Sequence, residues 1–268
     1  MGEYKLGLIG AGNMARAIIA GAIGKNVIGA GSVFVCDIDE NKLKKMTAEL
    51  GVGATKSAPE LVISSDIVIL AVKPNVLGNV LLDIKDAIGD KPMVSIAAGW
   101  SAAKIKGVAG NDKKVLRLMP NTPLMVGEGM TVFEAPSNLE AAEQAFVESV
   151  FAALGQIEHA STELMDAVTA VSGSGPAYGY MFIEALAAAG VKNGLPADSA
   201  LKLATQTALG AAKMVAETGE DPGALKDAVC SPGGTTIQAV KSLEEDGFYD
   251  MISSAVGKAA ARSKELAE

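Results

Sequence analysis

"GLIGAGNMA", Gly7 to Ala15, decides the fold. A short apolar run ends in glycine at Gly10, and apolar residues at helical spacing run from Asn13 to Ile23. Between them, Gly10, Gly12 and Ala15 fit the pattern G-x-G-x-x-A. That triplet alone is weak, but here it follows a strand signal and opens a helix. Glycines let the backbone turn tightly and approach a pyrophosphate, whose charge the helix N-terminus then stabilises. This half of the chain is therefore expected to bind a dinucleotide.

Working outward, "SVFVCD" (Ser32 to Asp37) reads as a second strand and Glu40 to Leu50 as a charged helix. "DIVILAV" (Asp66 to Val72) is a third strand, apolar on both faces as in a covered parallel sheet. Asn75 to Ile88 reads as helix, "MVSIAA" (Met93 to Ala98) and "KVLRLMP" (Lys114 to Pro120) as strands, "MTVFEA" (Met130 to Ala135) as one more, and Leu139 to Leu154 as helix. Strands alternating with helices predict an α/β fold with a doubly wound, mainly parallel sheet. After about His159 the strand signals stop and alanine-rich helical stretches continue to Glu268. The expectation is an α/β domain over residues 1–160 and an all-α domain over 161–268.

The chain has 268 residues, 49% apolar and 20% charged, with a net charge of −8. That acidity, without a basic patch, argues against nucleic-acid binding. Cys36 and Cys230 form no metal or redox spacing, and the N-terminus shows no cleavable leader, so a soluble cytoplasmic protein without a metal site is expected. The apolar stretch Val168 to Val191 is broken by Gly173, Gly175 and Pro176, which suits a helix buried between subunits better than a membrane span. The single histidine, His159, reads as a surface or junction residue.

Asp37 closes the second strand, where a carboxylate accepts hydrogen bonds from an adenosine ribose. Its charge repels a 2′-phosphate and so favours NADH; Lys42 or Lys44 is the alternative, a grip for that phosphate. "AVKPN" (Ala71 to Asn75) and "SIAAG" (Ser95 to Gly99) lie at strand C-terminal ends, where such sheets bind ligands. Lys73 is either a cofactor contact or a solvated lysine. Asn121, in "MPNTP" (Met119 to Pro123), is placed to bond a ligand or to brace its own loop. "SGSGPAYGY" (Ser172 to Tyr180) is a hinge, a close helix contact or part of a cleft wall.

"CSPGGTTIQAV" (Cys230 to Val240) holds no histidine, lysine or carboxylate. Two glycines precede a helix-like run, so the amides of Gly234, Thr235 and Thr236 are expected to be free helix N-terminal donors. With the hydroxyls of Ser231, Thr235 and Thr236 they form a receptor for a small anion such as a carboxylate. An ordinary helix cap needs only one such hydroxyl.

Taken in order, "GAGNMA", "AVKP", "SIAAG", "MPNTP", "SGSGPAY" and "DAVCSPGGTTIQAV" resemble the pyrroline-5-carboxylate reductase family over nearly the whole chain. The resemblance implies NAD(P)H-dependent reduction of 1-pyrroline-5-carboxylate to L-proline, in a Rossmann domain followed by a helical dimerisation domain. It implies cofactor contacts at Ile9, Gly10, Ala11, Gly12, Asn13 and Met14, at Ala71, Val72, Lys73 and Pro74, and at Ile96, Ala97 and Ala98. The substrate carboxylate would lie on Ser231, Gly234, Thr235 and Thr236, with Thr236 bonded to the ring nitrogen. It further implies a homodimer, with rings of dimers in some members, and frequent use of NADPH, from which Asp37 departs.

Two rivals stand beside this reading. A β-hydroxyacid dehydrogenase resembles the front half, but Gly179 and Ile183 occupy the positions of its lysine and asparagine. A binding-only dinucleotide sensor would have no use for the second anion loop.

Overall fold

The structure, a computed structural model, describes residues 4–267. The first part of the chain alternates as β1 (Leu6–Ile9), α1 (Asn13–Gly24), β2 (Val33–Cys36), α2 (Glu40–Leu50), β3 (Gly53–Ala54), α3 (Ala58–Ser64), β4 (Ile67–Leu70), α4 (Pro74–Ile84), β5 (Met93–Ser95), α5 (Ala102–Ala109) and β6 (Val115–Pro120). It continues through β7 (Gly129–Ala135), α6 (Ala141–Ala152), β8 (Gly155–Ser161) and the short α7 (Met165–Val168). Helices follow: α8 (Gly175–Lys192), α9 (Ala197–Thr218), α10 (Pro222–Ala228), α11 (Thr235–Glu245) and α12 (Phe248–Ala267).

The sheet order is β3-β2-β1-β4-β5-β6-β7-β8. Pairs are parallel except β6 with β7, so the sheet is doubly wound and mainly parallel as predicted. Strand alternation sends side chains to two covered faces. On one, Leu6, Leu8, Val33, Val35, Ile67 and Ile69 join Ile18 and Ile19 of α1 and Val147 and Phe151 of α6. On the other, Ile9, Val68, Leu70 and Met93 join Leu61 of α3, Leu77 and Leu81 of α4 and Ile105 of α5. Helices on both faces explain why these strands read as unbroken apolar runs.

Three features differ from the sequence expectation. β8 pairs in parallel with β7 along its whole length, although its residues gave no strand signal. It is an edge strand whose Gln156, Glu158 and His159 are exposed, so it lacks the apolar pattern of a covered strand. α3 and α5, of 7 and 8 residues, are about two turns long, too short for periodicity to reveal. α4 ends at Ile84 rather than continuing to Ile88.

Contacts divide the chain into two compact units, Met1–Gly173 with Ala259–Glu268, and Ser174–Lys258. The division falls beyond Ala160 because β8 runs to Ser161 and Met165 of α7 packs on Met119 of β6 and Val132 of β7. The last part of α12 returns to the first unit, where the Ser263 hydroxyl donates to Asp166 Oδ1 at 2.7 Å. No helix among the described residues is long and apolar enough to cross a membrane.

Phe151 is fully buried and meets Phe133 edge to face, with ring centroids 6.1 Å apart. Phe151→Ala should cost about 3–5 kcal/mol in urea unfolding. A loss under about 1 kcal/mol would show that α6 does not anchor this side of the sheet.

Candidate functional site

The register of the sheet gathers the predicted cofactor residues. Ile9, Cys36 and Leu70 are the last residues of their strands and lie side by side, and Leu70 pairs in turn with Ser95, the last residue of β5. The loops that begin at Gly10, Asp37, Ala71 and Ile96 therefore leave the sheet along one edge, at its carboxyl end. Strand order reverses here, between β1 and β4, which is where open α/β sheets bind ligands.

Gly10 makes that convergence possible. Its φ is +105°, and a Cβ there would stand 2.5 Å from the carbonyl oxygen of Ala71. Its N–H donates to the Cys36 carbonyl at 2.7 Å, tying the turn to β2. Gly12 is the N-cap of α1 and places no side chain on the amides of the first turn. A Cβ at Gly12 would meet nothing within 4 Å, so an open cradle faces free helix N-terminal donors. Ala15, fully buried, seats the helix on the sheet. This arrangement fits a dinucleotide pyrophosphate.

Asp37 turns out to hold the turn itself. Its Oδ2 accepts from the Ala11 N–H at 2.7 Å and its Oδ1 from the Asp39 N–H at 2.9 Å. Of the two roles that the sequence leaves open for Asn121, both ends of its amide take the bracing one. Its Oδ1 accepts from the Met130 N–H at 2.8 Å and its Nδ2 donates to the Ser172 carbonyl at 3.2 Å. Lys73, exposed, is the N-cap residue of α4. Ala97 is buried while Ile96 and Ala98 are half-buried, which leaves small groups and backbone at the loop surface. Burial, helped by the charge of Asp37, pushes the Cys36 thiol above its ordinary range, so it packs as a thiol.

Sequence reasoning missed Trp100. Its Nε1–H donates to the Pro74 carbonyl at 2.9 Å, and its ring lies against Gly78. It thus ties the loop after β5 to the start of α4. As the only tryptophan, directly after "SIAAG", it was conspicuous by type, but nothing local named its partner. Also missed were Arg117 on β6 and Glu134 on β7, both buried, with Arg117 Nη2 and Glu134 Oε2 unpartnered.

In the second unit, α11 opens on Gly234 with no side chain capping its amides. One expectation needs correcting: the Gly234 N–H is not free but donates to the Ser231 carbonyl at 3.0 Å. That bond closes the turn, leaving Thr235 and Thr236 to begin the helix. Gly233 has φ +73°, and a Cβ at Gly234 would collide with Ser231 Oγ, so both glycines are needed for Ser231 to fold over the helix start. Ser231, Thr235 and Thr236 are exposed, and none of their hydroxyls has a hydrogen-bond partner among the described residues. Hydroxyls and amides at a helix N-terminus can orient a small carboxylate without a cationic side chain. His159 lies elsewhere, on β8, with Nε2 3.0 Å from Glu148 Oε1.

Comparison with known proteins agrees with this division of chemistry. Residues 162–266 match the family model for pyrroline-5-carboxylate reductase dimerisation, and residues 5–99 match one described as NADP oxidoreductase, coenzyme F420-dependent. The pyrroline-5-carboxylate reductase of Escherichia coli (strain K12) is 42% identical over 99% of this chain and 99% of its own. Among solved structures, a pyrroline-5-carboxylate reductase from Coxiella burnetii superposes with a TM-score of 0.93 at 34% identity, covering 99% of both chains. The Plasmodium falciparum pyrroline carboxylate reductase, with NADP bound, gives a TM-score of 0.90 at 34% identity over all of both chains. With end-to-end identity at that level, and with both the glycine turn and the hydroxyl loop intact, this chain belongs to the pyrroline-5-carboxylate reductase family.

Proposed function

We propose that this chain reduces 1-pyrroline-5-carboxylate to L-proline, using NADH or NADPH. The observation that carries the reading is the hydroxyl loop at the start of α11, intact in a chain that aligns throughout with such reductases. Residues 1–160 are the dinucleotide-binding part and residues 161–268 the dimerisation and substrate-binding part. The cofactor lies on Ile9 to Met14, Asp37, Ala71 to Pro74 and Ile96 to Ala98, with Asn121 bracing the loop after β6.

When bound, the reduced nicotinamide supplies hydride to the imine carbon. The chain's own residues hold and orient the ring. Ser231, Thr235 and Thr236 with the first amides of α11 take the carboxylate, and the Thr236 hydroxyl bonds the ring nitrogen. A cyclic imine needs little acid assistance once its nitrogen is protonated or hydrogen-bonded, so most of the rate comes from proximity. No histidine or carboxylate is required at this loop, and none lies between Cys230 and Val240. The β-hydroxyacid rival lacks its proton donor, since Gly179 and Ile183 stand on α8 where it would have lysine and asparagine.

The functional unit is a homodimer, extended in the family to rings of dimers, and it works in the cytoplasm. Within its own unit α8 has no buried residue, and Tyr180, Met181 and Phe182 are exposed, a surface suited to a second copy. Light scattering should give the mass of two chains or a multiple of two.

Oxidation of NADH and of NADPH with racemic pyrroline-5-carboxylate should show turnover with at least one. Silence with both, from folded protein that still binds cofactor, would point to the binding-only reading or to another cyclic imine. Thr236→Ala should lower kcat/KM by about 1–3 kcal/mol of transition-state stabilisation with cofactor affinity unchanged; unaltered turnover would remove Thr236 from the mechanism. The two front glycines should separate cleanly. Gly12→Val should abolish detectable dinucleotide binding while stability stays within about 1 kcal/mol, because its Cβ meets only the cradle. Gly10→Ala should lose stability as well, by about 1–3 kcal/mol in urea unfolding.

A further inference from the structure

We propose that this chain takes NADH in preference to NADPH, and that Asp37 makes the selection. The proposal deepens the dinucleotide reading above and rests on it.

Asp37 follows the last residue of β2, and its carboxylate is fixed rather than swinging. One oxygen accepts from Ala11 inside the glycine turn at 2.7 Å, the other from Asp39 at 2.9 Å. A carboxylate offers about four lone-pair sites, so two amides leave room for two more donors. A ribose with free hydroxyls supplies donors. A 2′-phosphate supplies acceptor oxygens and further negative charge beside a carboxylate that cannot turn away.

A 2′-phosphate also needs a cation, and four of those on α1 and α2 are already engaged by acids. Lys42 stands 3.8 Å from Asp39 and Lys44 3.3 Å from Glu40. Arg16 and Lys45 both reach Glu49, at 2.8 and 4.0 Å. These exposed pairs are individually weak. Their effect is that each of these four cations already faces a carboxylate, Arg16 and Lys45 sharing one. Asp39 is held in addition by capping α2, accepting from the amides of Asn41 and Lys42. Ile38, fully exposed between the two aspartates, offers an apolar surface to an adenine rather than a donor to a phosphate. NADP is bound in the Plasmodium falciparum relative, so a fold of this kind admits the 2′-phosphate and the choice falls to side chains.

The test reads binding without any imine. Trp100, the single tryptophan, is bonded to Pro74 in the cofactor loop, and energy transfer from its indole to a reduced nicotinamide reports both cofactors equally. NADH should bind at least about tenfold more tightly than NADPH. Asp37→Asn keeps an acceptor for Ala11 and removes the charge, so the ratio should fall by about tenfold, chiefly through tighter NADPH. Equal affinities in the parent protein, an unchanged ratio in D37N, or equal weakening of both cofactors would each overturn the selection. So would Lys42→Ala if it cost NADPH binding alone, since Lys42 would then be the phosphate grip. If D37N does not fold, the parent protein decides by displacement of NADH: ADP-ribose should compete about tenfold better than its 2′-phosphorylated form, and equal competition would overturn the idea. Failure of turnover with pyrroline-5-carboxylate would sink the reductase reading while leaving this binding preference to stand or fall by itself.

Discussion

A single atom's worth of space after β1 sets the architecture. At Gly10 the backbone turns with a positive φ, and a side chain would strike the carbonyl of Ala71. The same residue's N–H bonds the last carbonyl of β2. One glycine therefore lets the end of β1 lie against β2 and β4 at once, so their loops leave from a common edge. With a larger residue the turn would have to move away from β4, and the loop from Ala71 to Pro74 would no longer adjoin the start of α1. Asp37 closes the arrangement from the β2 side, because its bond to Ala11 holds the turn against the strand it follows.

The helix starts carry a second regularity. α2, α3, α5 and α10 begin with an Asp or Ser whose side chain accepts from the first turn: Asp39, Ser57, Ser101 and Asp221. α1 and α11 begin on glycine with no such bond. A capped helix satisfies its own amides, whereas a glycine-started one leaves them for water or for an anion. One physical device thus occurs in both units, suited to a pyrophosphate in the first and to a carboxylate in the second. At Gly234 the missing Cβ makes room for the Ser231 hydroxyl, whereas at Gly12 it leaves the space in front of the amides open.

Much of this was legible because the signals are local. Strands covered on both faces are apolar throughout, so β1, β4 and β6 stood out. The glycine turn declared itself by spacing. What escaped depends on partners distant in sequence. β8 is half solvated and pairs through its backbone, which leaves no pattern in side chains. That Asn121 braces its loop is set by Met130 and Ser172, and that Trp100 latches Pro74 is set by how α4 meets the loop after β5. The hydroxyl loop was read correctly as a glycine-opened helix start, yet its free amides were overcounted by one. The bond from Gly234 to Ser231 is a turn contact that composition cannot reveal.

The same distinction between local and distant signals explains the helical unit. Its helices are easily read from alanine-rich periodicity, but periodicity does not say what covers them. α8 is strongly apolar and yet buries no residue fully within this chain, and α9 buries only Ala200 and Ala204 while leaving Leu201, Leu203 and Leu209 exposed. Exposed apolar side chains on that scale are unfavourable in water, so the cover must come from association. Residues 162–266 match a dimerisation model, which supplies such a cover from a second copy. Association of that kind stabilises the folded helices by mass action. The hydroxyl loop sits at the start of α11 inside that unit. On the proposed reading of that loop as the substrate site, the helices that carry it are the same ones whose apolar faces a second copy would cover.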